Sequence, residues 1–269
     1  VGGKSFPNTK PFKAENIYYI EPVIEKLLRF SFNYGHLWEI VGSGRWKRTG
    51  EIGDVDVAVK MRDDEWILFC TNIKDAGFST KNITKHCMSV EIPSPFPMGD
   101  DPTATYQLDF NQTQSIDFSV NMFWSSATSL YKSAHRNILL QAYLNILTTK
   151  EMNLGEYDLR TKEYLDLYEG LVFLVQTTRG AKRYSTVDRR TLMSSKNHGF
   201  VSIIESFFPE ILWYELDCFE NVYKVLMKKY YVKDTANDMM QMIMREAGFM
   251  IQSAKLEMPH EIKCWVEFD

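Results

Sequence analysis

The chain predicts an α+β fold, a mixed β-sheet backed by helices and followed by a helical C-terminal region. Three observations lead there. Two short apolar runs, residues 37–41 and 55–59, flank a Gly/Ser turn and a basic loop, as strands of one sheet do. Apolar residues at helical spacing recur before and after these runs, and further strand-like runs lie between the helices. Beyond residue 211 the pattern is helical only: Leu216, Phe219, Val222, Tyr223, Val225 and Leu226, then Met239, Met240, Ile243 and Met244. At 269 residues, 45% hydrophobic and 25% charged, the chain has room for one large or two smaller domains.

Taken in order, residues 1–14 are rich in Gly, Pro and Lys and read as an arm. From Glu15 to about Tyr34, Ile17, Ile20, Ile24, Leu27 and Leu28 predict one helix that precedes the first strand and packs on the sheet. After the strand pair, Asp63, Asp64 and Glu65 place acids in a first helical turn, where the dipole favours them. Trp66, Ile67, Phe69 and Ile73 carry that helix to Gly77. Residues 85–92 predict a strand, 93–102 a proline-rich loop, and 104–110 and 116–123 two further strands, holding Asp109 and Asp117 between apolar neighbours. Residues 125–128 end the sheet and 130–147 form an amphipathic helix, in which His135 reads as a structural hydrogen-bonding residue.

The chemistry concentrates at Gly42-Ser43 and at Asp54-Val55-Asp56-Val57. Residues two apart on a strand share a face, so Asp54 and Asp56 project together while the valines enter the core. Two neighbouring carboxylates repel unless a cation lies between them, and hard oxygen ligands select magnesium or manganese. Gly42-Ser43 lets backbone N–H groups approach an anion, and Arg45, Lys47 and Arg48 supply positive charge. A divalent metal with a triphosphate is the natural joint ligand.

Charge and composition narrow the partners. A net charge of −4 excludes a surface that grips nucleic acid everywhere, so any such contact is local. The densest basic stretch, 179–190 (Arg179, Lys182, Arg183, Arg189, Arg190), is where it would be. No apolar run is long enough for a membrane span and the first residues hold no signal-peptide core, which gives an intracellular, non-membrane expectation. Cys70, Cys87, Cys218 and Cys264 are far apart, which argues against zinc and disulfides and predicts buried thiols.

Gly42-Ser43, ten residues, then Asp54-Val55-Asp56-Val57 resembles the signature of the polymerase-beta-type nucleotidyltransferase superfamily. Farther on, Met122-Phe123-Trp124-Ser125-Ser126, His135-Arg136-Asn137, Gly155-Glu156-Tyr157, a ribbon over 164–175 and a helix over 200–209 are similar to the thumb of family X DNA polymerases. Ser125-Ser126 lacks the glycine of that family's sugar-contacting turn, and no helix-hairpin-helix or lyase domain precedes the palm. A palm with short accessory parts resembles uncharacterised nucleotidyltransferases of bacteriophages, which implies the cytoplasm of an infected bacterium. The resemblance implies a palm over 1–128 with its N-terminal arm and helix, a thumb-like domain over 129–210 and a helical region over 211–269. It implies Asp109 as the third acid, since the family places that residue on the strand before the last hairpin strand; Asp117 is then a hydrogen-bonded or exposed strand residue.

By the same resemblance, Asp54, Asp56 and Asp109 hold Mg²⁺ or Mn²⁺, and Asp109 takes or orients the proton of an acceptor hydroxyl. Gly42, Ser43, Arg45, Lys47 and Arg48 hold the β- and γ-phosphates of an NTP or dNTP. Three functions stay open: extension of a nucleic-acid 3′ end, as polymerase or terminal transferase; transfer of NMP to a protein or small molecule, as in toxin-like relatives; and a catalytically silent scaffold whose C-terminal helices dock a protein partner.

Overall fold

The computed structural model describes residues 5–32, 35–47, 49–96, 103–126, 129–155, 157–166, 168–178, 185–230 and 236–266. Arg48, Glu156, Arg179, Lys182 and Arg183 lie outside the described residues. The chain falls into two compact units, Val1–Ala127 and Thr128–Asp269.

The first unit holds, in order, β1 (Phe12–Lys13), a 3-10 segment (Ala14–Tyr19), α1 (Glu21–Ser31), β2 (Trp38–Val41), the one-turn α2 (Ser43–Trp46), β3 (Glu51–Ile52), β4 (Val55–Lys60) and α3 (Asp63–Asp75). β5 (Thr80–Thr84), β6 (Cys87–Pro93), β7 (Thr105–Thr113) and α4 (Ile116–Met122) complete it. Five strands form one mixed sheet in the order β2-β4-β7-β6-β5, with β4 and β7 parallel and the other neighbours antiparallel. Alternation puts Val55, Val57 and Val59 of β4 and Leu108 and Phe110 of β7 into a core with Ile24, Leu27 and Leu28 of α1 and Trp66, Phe69 and Ile73 of α3.

Three expectations change here. The single helix over 15–34 is a 3-10 segment followed by α1, because Pro22 has no N–H to bond the carbonyl four residues back and so takes a place in the first turn. Residues 116–122 form α4 rather than a strand: the Ser115 hydroxyl accepts the Phe118 N–H at 3.3 Å, and Asp117 sits exposed in the first turn. The sheet therefore ends with β7, and the arm is docked, with Phe12 and Lys13 paired to Ile52 and Glu51.

The second unit begins with α5 (Ser133–Thr148). A four-stranded antiparallel sheet follows, built from β8 (Lys150–Asn153), β9 (Asp158–Asp166), β10 (Gly170–Thr178) and β11 (Ser185–Ser194) in the order β11-β10-β9-β8. α6 (Phe200–Glu205), a 3-10 turn (Trp213–Glu215), α7 (Phe219–Tyr230), α8 (Ala236–Ser253) and α9 (His260–Val266) close the chain. α5 packs against α7, α8 and β9. Met240, Ile243 and Met244 are buried, so much of the methionine stripe is core. His135 is buried and donates from Nε2 to the Glu257 carbonyl at 2.9 Å, a structural bond within this unit. The thiols are not uniformly buried: Cys218 is, Cys70 and Cys87 are half-buried, and Cys264 is exposed. Among the described residues no helix is long and apolar enough to cross a membrane.

Candidate metal centre

The face of the first sheet opposite α1 and α3 carries the acids. Parallel pairing of β4 with β7 sets Asp56 beside Asp109, and antiparallel pairing with β6 sets Ser89 on the other side of Asp109. Asp54 lies just before β4. The three carboxylates each bring an oxygen within 4.8 Å of the others. Asp117, exposed on α4, is not among them.

Burial and partners make this cluster electrostatically costly. Asp54 is 4% exposed, and its Oδ2 is buried without a hydrogen-bond partner. Asp109 is 8% exposed. Burial pushes its carboxyl up to about 6, and the Asp54 carboxylate pushes the same way against hydrogen bonds from Ser89 and Gln107. Gln107 gives its amide N–H groups to both Asp109 oxygens, at 2.8 and 3.0 Å, while its own carbonyl accepts the Ser5 N–H at 3.0 Å. That chain of bonds fixes which way the amide points and holds Asp109 in place. The Ser5 and Ser89 hydroxyls are hydrogen-bonded at 2.9 Å, so the docked arm secures the ladder.

Gly42 borders the acids for a steric reason. Its φ of +61° and ψ of −145° suit glycine, and a Cβ there would stand 2.7 Å from Asp56 Oδ2. Only a residue without a side chain lets the turn pass so near that carboxylate.

The basic residues behave differently from the acids. Arg45 is ion-paired with Glu39 of β2 and lies 4.9 Å over the Trp46 ring. Lys47 donates to the Glu51 carbonyl, and Ser43 opens α2 with its side chain exposed. Among the described residues predicted as phosphate ligands, Gly42 adjoins an acid of the cluster, while Arg45 and Lys47 are occupied by neighbours in sequence.

Sequence reading missed Gln107 and Ser89. Gln107 stands two residues before Asp109, and strand alternation puts it on the same face, which is a usable signal; Ser89 comes from a register that no local pattern specifies. An all-oxygen set of clustered carboxylates, one holding a buried unpartnered oxygen, fits a hard divalent cation such as Mg²⁺ or Mn²⁺. No protein-family model matches the chain, and neither does any curated protein.

Proposed function

We propose that the chain is a metal-dependent nucleotidyltransferase of the polymerase-beta type, with residues 1–128 as palm and residues 129–210 as thumb-like segment. The observation that carries this reading is the buried, unpartnered Asp54 Oδ2 among three carboxylates, next to a turn that only glycine fits. Asp54, Asp56 and Asp109 would hold Mg²⁺ or Mn²⁺. Such an ion offsets charge on a phosphoryl group and its leaving group. Asp109 would also take or orient the proton of an acceptor hydroxyl. Gln107 keeps that carboxylate in position, and Gly42 gives the triphosphate room beside Asp56.

The acceptor proposed first is a nucleic-acid 3′ end, the polymerase or terminal-transferase reading. A second reading, NMP transfer to a protein or small molecule, is favoured by one observation. Arg189 is ion-paired with Asp166 and Glu169, and Arg190 with Asp188, so the described end of the basic stretch is already neutralised. The test is incubation with labelled NTPs or dNTPs and Mn²⁺, offering DNA primer, RNA primer or total cell extract. Label on an acceptor that disappears with Asp54→Ala plus Asp56→Ala supports the proposal, and the acceptor chooses between the readings. No transfer and no Mn²⁺-dependent nucleotide binding by the parent protein would sink it.

A further inference from the structure

β11 is an edge of the second unit's sheet. It pairs with β10 on one side, and among the described residues no strand pairs with its other side. The opposite edge, β8, has only four residues, a common way of blunting an edge. β11 has ten, with neither proline nor lysine, and residues 185–192 are exposed, Val187 at 60% and Leu192 at 48%. Such an edge offers a row of backbone donors and acceptors to another strand.

The charges along β11 say which strand. Its pairing with β10 is regular over 188–191, between two irregularities. On one face of that run Arg189 reaches back over its own sheet to Asp166 at 3.1 Å and Glu169 at 2.9 Å, lying 5.4 Å over the Tyr164 ring. On the other face Asp188 and Arg190 stand together, 3.1 Å apart, with side chains 46% and 66% exposed.

Two copies of one strand paired antiparallel about a twofold axis must be centred on a residue, because only alternate residues turn their backbone groups outward. Centring on Asp188 opposes two aspartates, and centring on Arg190 opposes two arginines. Centring on Arg189 sets Asp188 of each copy against Arg190 of the other, twice, while the facing Arg189 side chains are held by their own acids.

We propose that the chain forms a symmetric dimer in which β11 pairs antiparallel with β11 of a second copy about Arg189, making one continuous sheet. Opposite charges directly across a strand pair stabilise it, and like charges oppose it.

The test is the solution mass of the full chain by size exclusion with light scattering. The parent protein should run at twice its 31.4 kDa chain mass. Asp188→Arg and Arg190→Asp, both on the exposed face, should each fold with an unchanged circular dichroism spectrum and associate at least about tenfold more weakly. An equal mixture of the two single variants should recover the dimer, because both facing 188–190 pairs are then opposite in charge, and so should the double variant. A monomeric parent protein, or single variants that stay fully dimeric, would overturn the proposal. Monomeric single variants whose mixture stays monomeric would overturn it as well.

Discussion

The two units bury charge in opposite ways. In the first, three carboxylates crowd one sheet face and Asp54 Oδ2 has no hydrogen-bond partner. In the second, Arg136 is fully buried yet well supplied: it donates to the Asp217 carbonyl at 3.1 Å and to Asn137 Oδ1 at 2.9 and 3.1 Å, and it lies 5.2 Å from each of the Phe200 and Trp213 rings. Burial lowers its pKa to about 9, which still leaves it charged at neutral pH. The difference separates a buried charge whose partners support the fold from crowded carboxylates whose burial and mutual repulsion weaken it.

The contrast is broken most directly at Arg136. Arg136→Ala strands buried acceptors and opens a cavity, and should cost about 3–5 kcal/mol in a urea titration. A loss below about 1 kcal/mol would mean that the supporting bonds carry little.

Asp109 gives an effect of opposite sign. Its carboxyl lies at about 6 in the fold against an ordinary 3.8. The folded chain therefore binds that proton more tightly than the unfolded chain, and the stability this contributes is full below about pH 4 and lost as pH rises through 6. In chelator, Asp109→Asn should be more stable than the parent protein at pH 8, by up to about 3 kcal/mol, with the gap shrinking towards pH 4. Paired denaturation curves at the two pH values check it, and a gap independent of pH counts against the electrostatic account.

Gly42 sharpens the comparison by a smaller amount. Gly42→Ala must adopt a backbone conformation reserved for glycine, costing about 1–3 kcal/mol, and its Cβ displaces the Asp56 carboxylate, so Mn²⁺ affinity should fall about tenfold. Gly44→Ala is the control: its Cβ would meet Ile40 Cγ2 at 2.8 Å, so it should lose stability but keep its Mn²⁺ affinity. Equal Mn²⁺ titrations for the two variants would remove the special role of Gly42.

Much of the acid site was legible because its cues are local. Asp54 and Asp56 alternate with valines, whereas Asp109 and Asp117 both lie between apolar residues and it was the family resemblance that singled out Asp109. α3 was legible from acids in its first turn, whereas the β9–β10 ribbon was expected from the family resemblance. The errors fell where local cues compete. Residues 116–122 satisfy both the two-residue and the helical period, and the Ser115 cap decides for helix. β5, with residues largely exposed, carried no apolar alternation to read.

The sequence by itself determined the order of strands and helices around the Gly-Ser turn and which acids share a strand face, because side-chain alternation is a property of the backbone alone. The tertiary structure decided what those groups meet. The parallel register brought Asp109 to Asp56, and the docked arm turned Gln107 towards Asp109. Pairing with Glu39 and Glu51 took up Arg45 and Lys47, and the sheet order left β11 at an edge. Each of these depends on contacts between segments that no local pattern encodes.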